Sequence, residues 1–449
     1  MPDSVATLSA RPDHPTFFAA LRFWLKLGFI SFGGPAGQIA IMHQELVEKR
    51  RWISERRFLH ALNYCMVLPG PEAQQLAIYL GWLLHRTWGG IVAGVLFVLP
   101  SLFILAGLSY IYLAYGDVPM VRGVFDGIKP AVVAIVAFAA WRIGGRVLRN
   151  KVLWGFAAAS FIAIFAFRVP FPFIVLAAGM LGYLGGRIAP TLFAVGGGHD
   201  AIGKRHGPAL IDDDTPPPAH ARFAPWRLAL LVVAGVALWG TVLLVLDHPM
   251  LRDLGIFFTK AALVTFGGAY AVLPYVYQGG VETYGWLSGA QMIDGLALGE
   301  TTPGPLIMVV AFVGYVGAWT QQIFGPDQLA WAGFAGAAVA TFFTFLPSFL
   351  FILAGAPLVE ATHGDLKFTA PLTGITAAVV GVILNLGIVF GWHVLWPQAT
   401  EAALFAGPFE WFYALVSVAA FLALWKHQQD VLKVIGACAA LGLVYTLIG

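Results

Sequence analysis

Charge is scarce in this chain. Asp, Glu, Lys and Arg make up 11% of its 449 residues against 59% apolar types, with a mean hydropathy of +0.80, too little polar surface to wrap a soluble globule of that length. Cysteine is almost missing too: Cys65 and Cys438 both lie in apolar stretches, which gives neither a disulfide framework nor metal-ligand spacing. No apolar run followed by small residues occurs between Met1 and Phe18, so no cleavable leader is expected and the first helix directs insertion. The apolar runs lack the two-residue alternation of a membrane β-barrel. The basic residues, in a chain of net charge +3, sit in short loops where they report topology, not in a patch for nucleic acid.

What is present is long apolar runs. Gly89 to Tyr115, Gly127 to Ile143, Trp226 to Leu246 and Leu329 to Ala356 each meet or approach the roughly 20 residues that cross a bilayer. The expected fold is an all-α polytopic membrane protein. Within it one pattern occurs twice at an offset of 234 residues: Phe32-Gly33-Gly34, Trp52 and Pro69-Gly70-Pro71 recur as Phe266-Gly267-Gly268, Trp286 and Pro303-Gly304-Pro305. Farther on, Leu99-Pro100-Ser101 matches Leu346-Pro347-Ser348, and Gly127-Ile128 matches Gly374-Ile375. The expected organisation is a first repeat over residues 1–187, a flexible cytoplasmic linker over 188–225, a topology-inverting helix over 226–247 and a second repeat over 248–449.

Charge bias gives the orientation. The loop Val47 to Arg57 carries Lys49, Arg50, Arg51, Arg56 and Arg57, whereas its second copy, Gly279 to Ser288, carries no Lys or Arg, so the first is expected inside and the second outside. The halves are therefore inverted, which is the design of secondary transporters with broken helices at Gly and Pro. The segments around the FGG and PGP motifs either dip in and return or span fully. Re-entrant hairpins put about 20 of the 26 Lys and Arg inside, full spans only about 15, which favours hairpins. Hairpin tips at membrane depth require a surrounding protein or water-filled cavity. The linker run Asp212-Asp213-Asp214 beside His199, His206 and His220 fits no metal-ligand spacing and reads as solvated.

Gly34-Pro35, Gly70-Pro71 and Gly304-Pro305 read as helix starts, since Pro suits the first turn and lacks an N–H that would go unpaired there. Such starts, pointing into a cavity, favour an anion. Lys26 and Lys260 occupy equivalent positions before each FGG and either face that cavity or snorkel to the surface. Candidate binding groups are these lysines with Ser31, Gly33, Gly34, Pro35, Asn63, Pro69, Gly70, Pro71, Gln74 and Gln75, and with Thr265, Gly267, Gly268, Thr301, Thr302, Pro303, Gly304 and Pro305. Glu72, either a helix cap or a proton carrier, stands with Glu300, Asp294 and His43 as the candidates for proton coupling. No catalytic nucleophile, metal or cofactor motif accompanies these carboxyls, which argues against a membrane-embedded enzyme.

At GFISFGGP (Gly28 to Pro35), WISERR (Trp52 to Arg57), LPGPEAQQ (Leu68 to Gln75), LVTFGGAYAVLPYVY (Leu263 to Tyr277) and MIDGLALGETTPGPLIM (Met292 to Met308) the chain resembles the chromate ion transporter family in its long, two-domain form. The resemblance implies a multi-pass protein of the inner, cytoplasmic membrane that exports chromate and confers chromate resistance as a secondary carrier. The alternative substrate is sulfate or another tetrahedral oxyanion, carried or conducted. A homodimer through the outer helices is compatible with the sequence.

Overall fold

The computed structural model describes residues 11–32, 34–193, 207–216, 218–361, 369–400 and 403–448. Helix α1 (Phe17–Ile30) ends at the FGG motif, and α2 (Gly34–His43) runs on through a π-helical turn, Gln44–Lys49. Helix α3 (Glu55–Val67) leads to the PGP break, after which α4 (Glu72–Tyr115) begins. Non-helical dihedrals at His85 and Arg86 divide α4 into a short arm, residues 72–84, and a long span. Then come α5 (Pro119–Val147), α6 (Lys151–Phe165), α7 (Phe171–Ile188) and, after the linker, α8 (Pro225–Val245). The second half repeats the order: α9 (Pro249–Val264), α10 (Ala269–Tyr277) with its own π turn at Gln278–Thr283, α11 (Gly289–Thr301) and α12 (Val309–Thr320). Helices α13 (Leu329–Ala361), α14 (Thr369–Leu395), α15 (Trp411–Trp425) and α16 (Val431–Ile448) complete it. Among the described residues, 7 helices are long and apolar enough to cross a membrane. The all-α polytopic fold is therefore as expected.

Local chemistry repeats with the fold. Ser54 and Ser288 cap α3 and α11 by accepting the N–H of Arg57 and Gln291. The turns before them use the same left-handed backbone, at φ 52° for Arg51 and 59° for Gly285.

Hydrogen bonds and contacts show which ends share a side. The carbonyl of Pro15, before α1, lies 2.9 Å from His85 Nε2, and linker residues Leu210 and Ile211 donate to Arg51 and Trp52, at the base of α2 and α3. The outer ends of the first FGG and PGP segments thus lie together on the linker side. In the second repeat Gly317 sits against Met250 and Trp286, which brings the outer ends of α9, α11 and α12 together. Gln278, at that base, accepts from the N–H of Phe171, in the α6–α7 connection. That connection lies opposite the linker side, where Asn150 donates to the Leu192 carbonyl. The second set of hairpins therefore enters from the other face.

The long spans make the frame. Helices α4 and α13 pack together, α1 on α4, α9 on α13, α6 and α7 on α14, and α15 and α16 on α5, while α5 packs on α14. Helix α8 packs mainly on α13, with Trp239 donating to Thr259 of α9 at 2.9 Å, and 6% of its apolar window is buried, as suits a lipid-facing helix.

The linker differs from expectation where it is described. Ser54 donates its N–H to the Ile211 carbonyl at 3.0 Å and its hydroxyl to Asp213 at 2.6 Å, while Arg11 pairs with Asp214 at 2.7 Å. Arg57 donates to the carbonyls of Asp212 and Thr215. The triple aspartate is engaged by these donors, so residues 207–216 form a strap on the first repeat. Gly196 to Gly198, His199 and His206 lie outside the described residues.

Candidate functional site

The four helix breaks meet in two crossed pairs, each joining one repeat to the other. Gly70 donates its N–H to the carbonyl of Thr265 at 2.8 Å, and Gly304 donates to Ser31 at 2.7 Å, so each PGP motif caps the helix end at the other repeat's FGG motif. Gly70 and Gly304 stand at φ 120° and 114°, where an L side chain is strained. A Cβ at Gly70 would fall 2.6 Å from Ser348 Oγ, and one at Gly304 would fall 2.4 Å from Ser101 Oγ. Those serines belong to the repeated Leu-Pro-Ser triplets of α4 and α13. Each long helix thus seats the PGP glycine of the opposite repeat. Ser101 also donates to the Pro303 carbonyl at 2.5 Å, and Gln75 Nε2 donates to Pro69 at 2.7 Å and to Ser348 at 3.3 Å. Gly34, Gly267 and Gly268 share positive φ, Pro35 follows in the first turn of α2, and Pro71 and Pro305 immediately precede helical turns. Gly33 lies outside the described residues.

The side chains at this symmetric backbone are not symmetric. Gln38, Gln74 and Gln75 are fully buried, whereas their repeat-related positions hold Val272, Met308 and Val309. Gln38 donates to the Gly304 carbonyl at 2.6 Å. Both amide atoms of Gln74 are buried without a partner among the described residues, as are Gln38 Oε1 and Gln75 Oε1. A buried amide left unpaired costs about 1–3 kcal/mol, so Gln74 stands out with unused donors and acceptor. The hydroxyls behave otherwise. Ser31 donates to Leu27, Thr265 to Ala261, Thr301 to Ala297 and Thr302 to Leu298, each within its own helix. Their protons are not turned toward a ligand; the donors left are the Gln74 amide and the first-turn N–H groups of helices starting at the breaks.

Several candidates lie elsewhere. Lys26 and Lys260 are exposed while Phe23, Trp24 and Leu27 of α1 and Phe257, Phe258 and Ala261 of α9 are buried, and neither lysine makes an ion pair among the described residues. Of the two expected positions, facing the cavity or snorkelling to the surface, both lysines occupy exposed ones. Asn63 is likewise exposed on α3. His43 belongs to the base of the α2–α3 pair, 2.5 Å from Glu55 Oε2. Glu72, in the first turn of α4, and Glu300, which accepts the hydroxyl of Tyr270, flank the breaks. Asp294 sits apart, taking the Tyr112 hydroxyl at 2.8 Å with Lys129 Nζ at 3.9 Å.

Sequence reasoning missed other groups. Buried Glu360 pairs with Arg57 at 2.9 Å and takes the Tyr79 hydroxyl at 2.6 Å, across 281 and 303 residues of chain, a separation with no local signal. Ser101 and Ser348 did carry one, the repeated triplet. A cavity of about 640 Å³ lies under the strap, lined by His14, Leu84, Arg86, Ile211, Pro218 and His220. It is remote from the breaks and has no repeat-related counterpart in the chemistry above. Burial against Trp82 holds the His220 imidazole below its ordinary pKa.

A polytopic helical protein whose inverted repeats meet at broken helices has the architecture of a transporter. Residues 18–183 and 252–443 match the chromate transporter family, and the chain belongs to it. It is 30% identical over 447 residues, 99% of this chain and 97% of the relative, to a chromate transport protein of Cupriavidus metallidurans. It is 34% identical over 448 residues, 97% and 94% respectively, to a chromate transport protein of Pseudomonas aeruginosa. Identity to a probable chromate transport protein of Synechococcus elongatus is 29% over 395 residues, 87% and 88%. No solved structure matches the chain.

Proposed function

We propose that this protein carries chromate out of the cell across the cytoplasmic membrane, as a secondary carrier whose two inverted repeats alternate access to a site at the helix breaks. The observation that carries this reading is the crossing of the breaks in two pairs between the repeats, with Gln74 in the first turn after the PGP break, a buried amide with no partner among the described residues. Chromate is a tetrahedral dianion that accepts hydrogen bonds and lacks protons to give at neutral pH, so converging N–H donors and helix N-termini suit it. The full-length similarity to proteins named for chromate transport supports the choice of oxyanion. The five basic residues of the α2–α3 loop support a cytoplasmic linker side.

Moving two negative charges outward through ~100 mV, inside negative, releases about 4.6 kcal/mol. That sustains a gradient of roughly 10³-fold. Potential alone is then a sufficient drive for export, with Glu72 and Glu300 the carboxyls to probe for proton coupling. The test is uptake of labelled chromate into everted membrane vesicles containing the protein, with and without unlabelled sulfate. Saturable accumulation that equimolar sulfate does not suppress is expected. Preferential sulfate uptake would overturn the substrate, and absence of any oxyanion uptake would overturn the carrier.

A further inference from the structure

Equivalent faces of the two repeats are covered differently. The α10–α11 pair is seated on the frame: α10 packs on α14 and α7, and α11 on α5, α14 and α16. The α2–α3 pair packs on α4 and makes no comparable contact with α5, α14, α7 or α16 among the described residues. Ala40 and Asn63 are exposed while their counterparts, Pro274 and Ala297, are buried, and Leu59 is less covered than its counterpart Ile293. The seat is therefore occupied on the face away from the linker and vacant on the linker face.

The occupied seat has an identifiable seam. Lys129 of α5 bonds Asp126 at 2.7 Å and faces Asp294 of α11 at 3.9 Å, with Tyr112 donating to the same carboxylate. At the outer edge Gly289, which opens α11, lies against the His393 ring of α14, since a Cβ there would fall 2.5 Å from Nε2. The repeat-related positions on the vacant side are Glu55, which opens α3, and Arg146, near the end of α5. They carry opposite charges where the occupied side has glycine and histidine. In this structure Glu55 is engaged by His43, and Arg146 is exposed with no ion pair among the described residues.

We propose that the structure is the state open to the linker side, and that Glu55 and Arg146 pair to close that side when the α2–α3 pair takes the seat now held by its counterpart. The Asp294–Tyr112–Lys129 contact is then the gate of the opposite face and separates in the same transition. This deepens the carrier reading above and rests on it. Glu55 and Arg146 are positioning residues, since neither touches the oxyanion centre. An inward-to-outward exchange of this kind follows from the inverted symmetry, because each repeat has the sequence to adopt the other's packing.

The test uses the full chain in everted vesicles, in a Cys65→Ala, Cys438→Ala background first shown to take up chromate; failure at that step belongs to the carrier reading, not to the gate. Glu55→Arg and Arg146→Glu are each expected to lower the initial rate by about tenfold, and the double exchange to restore it to within about threefold, as coupled positions do. In parallel, vesicles carrying Glu55→Cys with Arg146→Cys are treated with a copper–phenanthroline oxidant during turnover, and the disulfide formed is expected to stop uptake until it is reduced and the reductant washed away before chromate is supplied again. Single exchanges without effect, or a double exchange no better than either single, overturn the pairing. Absence of the cross-link in vesicles that are taking up chromate overturns it independently of how well the charge variants fold.

Discussion

The N–H of Gly70 and the carbonyl of Thr265, 2.8 Å apart, join the PGP break of one repeat to the FGG break of the other, and the Gly304–Ser31 bond at 2.7 Å is its twin. Both bonds cap a helix end with an N–H from the opposite half, so neither repeat has a satisfied centre by itself. The backbone at the crossing is thereby held in place without using the remaining first-turn donors.

Gly70→Ala and Gly304→Ala are expected to be severe. Each combines a positive φ with a Cβ under 3.0 Å from a serine hydroxyl on α13 or α4. Strain and overpacking of this kind cost about 1–3 kcal/mol each. Thermal unfolding in detergent should show a lowered midpoint for both variants, with similar shifts because the sites are repeat-related. An unchanged midpoint in either would contradict the crossing.

Lys26→Ala and Lys260→Ala should leave chromate uptake within about twofold of the wild type, as expected for exposed side chains that form no ion pair among the described residues. Initial rates in vesicles, normalised to protein content, check this. A loss of uptake in both would return these lysines to the central site.

The duplication and the positions of the breaks were legible because glycine and proline act locally: a positive φ or a missing N–H is written at one residue. The charge bias of Lys49 to Arg57 favours hairpins over full spans for the first FGG and PGP segments. What was not legible depends on rotation and partners. Nothing in the residues around Lys26 says that α1 buries Phe23 and Leu27 and turns the lysine outward. Ser31 and Thr265 look like ligands in a list of polar residues, yet each bonds four residues back along its helix. The docking of Asp213 on Ser54 and of Glu360 on Arg57 links segments far apart in sequence, and composition alone made the linker look free.

Arg57→Met should destabilise the protein by about 3–5 kcal/mol, because it strands the buried Glu360 carboxylate that Tyr79 also touches. Adding Glu360→Gln should recover part of the loss. Equilibrium unfolding of both single variants and the pair gives the coupling. Simple additivity would show that the two charges do not depend on each other.

Docking of the strap should weaken in acid. The His220 imidazole, bonded at 2.9 Å to the Trp82 carbonyl, is held below its ordinary value of 6.5 by burial. The undocked strap therefore binds the proton more readily, and docking is lost as pH falls through about 6.5 and is fully present above it. Hydrogen exchange of residues 207–221 at about pH 5.5 and about pH 7.5 reads this out. Faster exchange at the lower pH is expected in the wild type and should be much reduced in His220→Gln; equal protection at both pH values would contradict it.

Equilibrium binding of labelled chromate to the purified protein, compared with Gln74→Leu, bears most directly on an oxyanion site at the crossing. The wild type should bind saturably, with the variant weaker by about tenfold or more while retaining its unfolding midpoint, since leucine leaves no donor where the unpartnered amide stands. Binding of equal strength in the two proteins would place the oxyanion somewhere other than beside Gln74 at the crossed breaks.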